Sequence, residues 1–250
     1  MSILWSRLIE GNQYEVRSAG HSLRLYRNGV HHTQYNADRP LAGSVWDLLV
    51  LPALHRKEGE LTDALILGFG AGAAGRLLQD LLGFKRIVGI DLDPVHLSIA
   101  DGFFDCGAGY ELMAADAVEW VQNGGDDKRY DFIIDDLYSE ESGYPMRVAP
   151  MDLEWCRSLA NLLSSDGLLV FNLIEPDKVG NLPPMRDCAL RKRFPYRQVC
   201  RIKGYENRVV AFSPKPFDSS LLREGLLRIG RAHPRCYGVG RHYISSNLPD

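Results

Sequence analysis

Residues able to do chemistry cluster at the ends of apolar runs. Gly68, Gly70 and Gly72 lie in Leu65-Ile-Leu-Gly68-Phe-Gly70-Ala-Gly72-Ala-Ala-Gly75, between an apolar run and a helical pattern. Glycines at a strand-to-helix turn let the backbone bend tightly and approach a ligand, whose electronegative groups the helix N-terminus favours. Asp91 closes the next apolar run, Arg86-Ile-Val-Gly-Ile90, about where a carboxylate can accept hydrogen bonds from ribose hydroxyls. Glycine turn and acid together point to a nucleoside site. A fourth apolar run, Tyr130-Asp-Phe-Ile-Ile, ends in Asp135 and Asp136. Strand alternation sends these two to opposite sides, and Asp136 is the better candidate for a general base, with Tyr138 as its orienting donor.

Elements that position these residues follow from the hydrophobic pattern. Period-two patterning around Tyr14–Arg17, Ser22–Tyr26 and Val30–Tyr35, broken by turn residues, predicts a small antiparallel sheet in residues 1 to 40. Residues 43 to 55 suit a helix that Pro52 limits. Strands then alternate with helices: 64–67 with 73–82, 86–90 with 94–104, 111–115 with 117–123, and 131–134 followed by a long loop that runs from Ser139 to Pro150 over the site. A helix capped by Asp152 leads into Leu168-Leu-Val-Phe171. Apolar strands each followed by a helix indicate a parallel doubly wound sheet. Residues 197–202 and 208–212 read as an antiparallel hairpin closing the sheet edge, 221–229 as a short amphipathic helix and the last twenty residues as a surface tail. The expected division is an N-terminal sheet with linking helix, 1–56, and a nucleoside-binding Rossmann-like domain, 57–250.

Two nucleosides compete for the glycine turn. Gly70-x-Gly72-x-x-Gly75 satisfies the dinucleotide fingerprint, which leaves an NAD-dependent enzyme open. Gly68-x-Gly70-x-Gly72 suits the class I S-adenosylmethionine fold, in which an acid placed like Asp116 bonds the adenine amino group and a hairpin closes the sheet. The second reading is favoured. From residue 13 to about 213 the chain resembles the spermidine synthase (polyamine aminopropyltransferase) superfamily, a branch of that fold. The resemblance rests on Leu23-Arg-Leu-Tyr-Arg-Asn-Gly-Val30, the helix 43–55, Leu67-Gly-Phe-Gly-Ala-Gly72, Gly89-Ile-Asp-Leu-Asp-Pro94, Ala115-Asp116-Ala and Tyr130-Asp-Phe-Ile-Ile-Asp-Asp136. It implies S-adenosylmethionine or its decarboxylated form as co-substrate, without metal, and a nucleoside pocket that includes Leu92 and Ala117 beside the acids. It also implies a contribution from His32 or Gln34 of the N-terminal sheet, Asp136 beside the reacting sulfonium, and a homodimer.

Departures from the family are equally specific. The acid that holds the amino group of decarboxylated S-adenosylmethionine is Ala71 here, the second carboxylate of the loop after the fourth strand is Ser139, and a Tyr-His pair is replaced around Val45-Trp46. These changes favour methyl transfer to a small molecule over aminopropyl transfer to an amine. A nucleoside-binding protein without catalysis is the reading from a different class.

Composition narrows the remainder. The 250 residues are 45% hydrophobic and 24% charged, with a formal charge of -3, which excludes disorder and gives no overall field for nucleic acid or anionic membrane. The apolar stretches are too short to span a bilayer, and the start lacks the pattern of a secretory signal. Five cysteines without a C-x-x-C read as reduced thiols in the cytoplasm. Adjacent His31 and His32 should point to opposite faces of a strand and form no metal site. Ten acids and two bases between Glu111 and Glu141 are expected to favour a cationic acceptor, and eight bases and two acids between Met185 and Arg208 to form a solvated face.

Overall fold

The computed structural model describes residues 1–141 and 144–249. Its first forty residues form a four-stranded antiparallel meander, β1 (Ser2–Ile9), β2 (Asn12–Ala19), β3 (Ser22–Arg27) and β4 (Val30–Asn36). The turns at Glu10-Gly11 and Asn28-Gly29 place both residues at positive φ, the twist that suits two-residue hairpins. β1 escapes the periodicity because it is irregular: its pairing with β2 slips between Ile3 and Trp5, and the adjacent Ile3 and Leu4 are both exposed. The other strands send Tyr14, Val16, Leu25 and Tyr35 into a core shared with the rest of the chain.

The linking segment starts as helix α1 (Val45–Val50), closed at its N-terminus by a reciprocal Ser44–Asp47 capping box. It tightens into a 3-10 turn, Leu51–His55, with Pro52 in the first turn, where a missing N–H costs nothing. Leu48, Leu49 and Val50 are buried.

Beyond it the strands β5 (Asp63–Leu67), β6 (Arg86–Asp91), β7 (Tyr110–Ala114) and β8 (Tyr130–Asp135) alternate with helices α2 (Ala73–Leu82), α3 (Pro94–Phe104) and α4 (Ala117–Gln122). The segment expected as a loop after β8 is instead a hairpin, β9 (Tyr138–Glu141) and β10 (Tyr144–Arg147), in which Tyr138 and Arg147 stand opposite each other with the guanidinium 5.9 Å from the ring centroid. The tip of that expected loop, residues 142 and 143, lies outside the described residues. There follow α5 (Leu153–Leu162), β11 (Leu163–Leu173), the short helices α6 (Pro183–Arg186) and α7 (Cys188–Arg193), the hairpin β12 (Tyr196–Ile202) and β13 (Arg208–Ser213), and α8 (Ser219–Ala232). The expected surface tail is corrected as well: it contains β14 (Tyr243–Asn247), which pairs with β12 as an edge strand, and Tyr243 Oη donates to the buried Asp47 at 2.7 Å.

These strands form one sheet in the order β14-β12-β13-β11-β8-β5-β6-β7. β11, β8, β5, β6 and β7 are parallel, while β13, β12 and β14 run antiparallel. Both faces are covered, so the central strands are continuous apolar runs. Chain order reverses between β5 and β8, and the crevice at their carboxyl ends is the topological switch point of the sheet.

Candidate nucleoside and transfer site

Four strand ends and the N-terminal sheet enclose a cavity of about 490 Å³. Gly68 and Gly70 follow β5, Asp91 ends β6, Asp136 follows β8, and Asn172 lies near the end of β11; all five residues line the cavity. A somewhat larger hollow, about 570 Å³, opens at the other end of the sheet between the 51–55 turn and α8. It contains none of the strand-end carboxylates.

The glycine turn is fixed from two sides. Gly70 N donates to Asp91 Oδ2 at 2.7 Å, and Ala71 N donates to Thr33 Oγ1 of β4 at 3.0 Å. Gly68 has φ of +82°, and a Cβ there would stand 2.3 Å from the carbonyl oxygen of Asp136. The missing side chain therefore lets the β5 and β8 ends close on each other. Gly68→Ala is expected to lose at least about 2 kcal/mol in denaturant unfolding, because strain at positive φ adds to a backbone clash. Gly72 is further back, against Cys106 Sγ and Phe69, and packs the turn without lining the cavity.

Asp91 carries the densest set of partners. Besides Gly70, its Oδ1 accepts from Asp93 N at 2.9 Å, and His96 Nδ1 is 3.4 Å away. Burial opposes ionisation, but His96 and the two backbone N–H groups outweigh it and hold the carboxyl below the usual carboxylate range. Each oxygen keeps a lone pair for a further donor. Leu92, next in sequence, lines the cavity and is 72% exposed.

Asp135 and Asp136 do part as alternation predicts. Asp135 is fully buried, accepting from Arg147 Nη2 at 2.5 Å and Trp155 Nε1 at 2.8 Å. Asp136 lines the cavity and accepts from Asn172 Nδ2 at 2.7 Å. Burial pushes the Asp136 carboxyl up to about 7; Asn172 pulls the other way, and the nearby Asp135 raises it further. Tyr138 lines the cavity without orienting Asp136. Its hydroxyl donates to the carbonyl of Asn172 at 2.9 Å and accepts from Ile174 N at 3.2 Å, so the orienting donor is Asn172.

The N-terminal sheet covers the cavity, pinned by Tyr14 Oη donating to Asp93 at 2.7 Å and by Tyr35 donating to Asp80. Both His31 and His32 line it, contrary to the opposite-face expectation. The register of β3 and β4 slips between Leu25 and Tyr26, making His32 an extra residue, and such a bulge re-aims side chains. Burial, then His96, pushes the His32 imidazole down to about 4, leaving it neutral. Gln34 is half-buried opposite Arg24, and neither it nor Asp116 or Ala117 lines the cavity. Asp116 caps α4, accepting from Val118 N and Glu119 N, while Ala117 is buried in the first helical turn. Trp46, where the family's Tyr-His pair is replaced, lines the cavity, as do Arg27, His96 and Asn207, which carry no signal in the sequence pattern. Asn172 had a signal, a lone polar residue in the apolar run of β11.

Charge around the cavity is arranged differently from the sequence expectation. Glu111 and Asp126 pair with Arg86, and Asp131 receives Thr62 N, all at the opposite strand ends. Glu10, Asp91, Asp93 and Asp136 face the cavity instead, against Arg27. Several bases of the C-terminal segment are also tied down, with Arg193 and Arg197 donating to backbone carbonyls. Among the described residues no group of three or more His, Cys, Asp or Glu could hold a metal ion, and no helix is long and apolar enough to cross a membrane.

No protein-family model matches the sequence. The eEF1A lysine and N-terminal methyltransferase of Mus musculus is 25% identical over 153 residues, covering 58% of this chain and 22% of the relative. Its Drosophila melanogaster homolog is 24% identical over 170 residues, 66% of this chain and 25% of the relative. The chain thus spans about a quarter or less of these relatives. Human methyltransferase-like protein 13 in complex with SAH superposes with a TM-score of 0.58 at 20% identity, covering 76% of this chain and 90% of that one. A probable spermidine synthase from Corynebacterium glutamicum gives 0.66 at 19% identity, covering 90% and 86%. A spermidine synthase in complex with the transition state analogue AdoDATO gives 0.59 at 12% identity, covering 93% and 87%. With its strand order and its N-terminal sheet, the chain has the class I S-adenosylmethionine methyltransferase-like fold and resembles the spermidine synthases.

Proposed function

We propose that the chain is an S-adenosylmethionine-dependent transferase that moves a methyl group to a small-molecule nucleophile. What carries this reading is one cavity at the switch point that presents Asp91 and Asp136 on either side of the glycine turn. In this reading Gly68 and Gly70 shape the pocket, Gly72 packs the turn behind them, and Asp91 takes the ribose hydroxyls. Leu92 lies against the base and His32, rather than Gln34, approaches from the N-terminal sheet, while a base extending past the cavity rim would meet Asp116 and Ala117 at the head of α4 with its amino edge. The acceptor's lone pair attacks the carbon on sulfur, the carbon–sulfur bonding pair returns to the sulfonium, and the acceptor's proton passes to Asp136.

Ala71 supports methyl over aminopropyl transfer. It is fully buried, so the glycine turn offers no carboxylate for the amine of decarboxylated S-adenosylmethionine. Aminopropyl transfer is the second reading, favoured by the coverage of the spermidine synthase structures. The mouse relative's name supplies a protein amine as a further acceptor to assay. A dinucleotide suits the turn less well, because Thr33 and Asp91 already occupy the N–H groups of Ala71 and Gly70 that a pyrophosphate would need. Five free cysteines accord with a cytoplasmic protein, and exposed Ile3, Leu4 and Leu8 on β1 with a homodimer.

Calorimetry with S-adenosylmethionine, its decarboxylated form, S-adenosylhomocysteine, methylthioadenosine and NAD tests the reading. Tight NAD binding with no response to the sulfur nucleosides overturns it. A protonated Asp136 should ionise beside a bound sulfonium, so S-adenosylmethionine binding near pH 6.5 is expected to release a fraction of a proton. The neutral S-adenosylhomocysteine should release much less, as a comparison of buffers with different ionisation enthalpies will show.

A further inference from the structure

Asn207 stands in the turn between β12 and β13, yet it reaches the cavity. Its Nδ2 donates to Asn172 Oδ1 at 3.0 Å, and Asn172 Nδ2 donates to Asp136 Oδ1 at 2.7 Å. Asn172 is itself nearly buried, and its carbonyl accepts from both Tyr138 Oη and Arg147 Nη1. Its backbone is therefore fixed, and its amide has two orientations. With the NH2 toward Asp136 it bonds an ionised carboxylate; with the oxygen toward Asp136 it bonds only a protonated one. The far end of the amide decides between them, and there a donor from Asn207 meets the oxygen.

We propose that Asn207 is a positioning residue for the transfer reaction: acting through the Asn172 amide, it selects the arrangement in which Asp136 is an oriented, ionised base. This rests on the reading of Asp136 as the base. The other groups facing Asp136 are Asp135 and Asp91, which disfavour its charge, Arg147, which favours it, and the hydroxyl of Tyr138. Neither Asp135 nor Arg147 is adjustable, since each is committed to the other inside the core. The asparagine pair is the part of this environment that a change on the surface can reverse.

The test is a double-mutant cycle read by carboxyl ¹³C titration of Asp136 in the unliganded protein, alongside the pH profile of kcat/KM. Asn207→Asp can only accept at physiological pH, so it turns the Asn172 amide around and presents its oxygen to Asp136. The Asp136 titration is expected to move up by about one pH unit or more with Asn172 present, and by less than half as much in the Asn172→Leu background, where only the added charge acts. Asn207→Leu, which removes the donor without adding charge, is expected to raise it by roughly half a unit. Equal shifts in the two backgrounds, or no shift for Asn207→Leu, overturn the proposal. The titration does not depend on turnover. A coupled shift in a protein inactive toward every acceptor would sink the transferase reading while leaving the relay to Asp136 established.

Discussion

Asp136→Asn is expected to lower turnover by about 10²- to 10⁴-fold, the contribution of a positioned base, while leaving S-adenosylhomocysteine binding within a few fold. The amide fits the same space and its oxygen can still accept from Asn172 Nδ2, but it cannot take a proton from the acceptor. In the wild-type protein kcat/KM should rise with pH and level off above about 7, as Asp136 ionises, and the variant should lose that limb. Stability should move the other way. A carboxyl raised to about 7 in the folded state binds its proton more tightly there than in the unfolded chain. Its favourable contribution is complete below the ordinary value near 4 and is lost as pH rises through 7, up to about 4 kcal/mol for three pH units. The asparagine has no such loss. Thermal unfolding should therefore show the variant gaining on the wild type between pH 5 and 8, and a variant that is less stable at pH 8 would contradict the site's electrostatics.

Much of this arrangement is legible in the sequence alone. Continuous apolar runs each ending in Gly or Asp mark parallel strands, because such a sheet is buried on both faces and its ligands collect where the runs stop. That logic located Gly68, Asp91 and Asp136 and separated Asp135 from Asp136. It did not reach Asn207 or His96, whose roles depend on which strand lies beside which, information that a period of two or 3.6 does not carry. The bulge at His32 and the slip in β1 defeated alternation for a local reason: one extra residue reverses the face of everything after it. The acidic segment misled because sequence proximity joined Asp136 to Glu111 and Asp126, which the parallel strands carry to the opposite end of the sheet.

Asp91→Ala should abolish nucleoside binding more completely than any other single change in the cavity. Two losses coincide. A carboxylate that accepts from two ribose hydroxyls through charge-assisted bonds contributes roughly 1.5–3 kcal/mol for each, so losing both weakens S-adenosylhomocysteine binding by at least about 100-fold. The same carboxylate also organises the protein around it, since Gly70 N and Asp93 N are left without their acceptor and His96 without its anion. Asp91→Asn separates these effects. Its single oxygen can serve one of the two backbone donors, while its NH2 faces the other and repels it, so the glycine turn should loosen and affinity should fall nearly as far. Amide hydrogen exchange at Gly70 and Asp93 in the unliganded protein reports the first loss, and calorimetry the second. If Asp91→Asn bound S-adenosylhomocysteine like the wild type while Gly70 exchange accelerated, Asp91 would be a scaffold for the turn alone, and the ribose would have to be held by another donor set in the cavity.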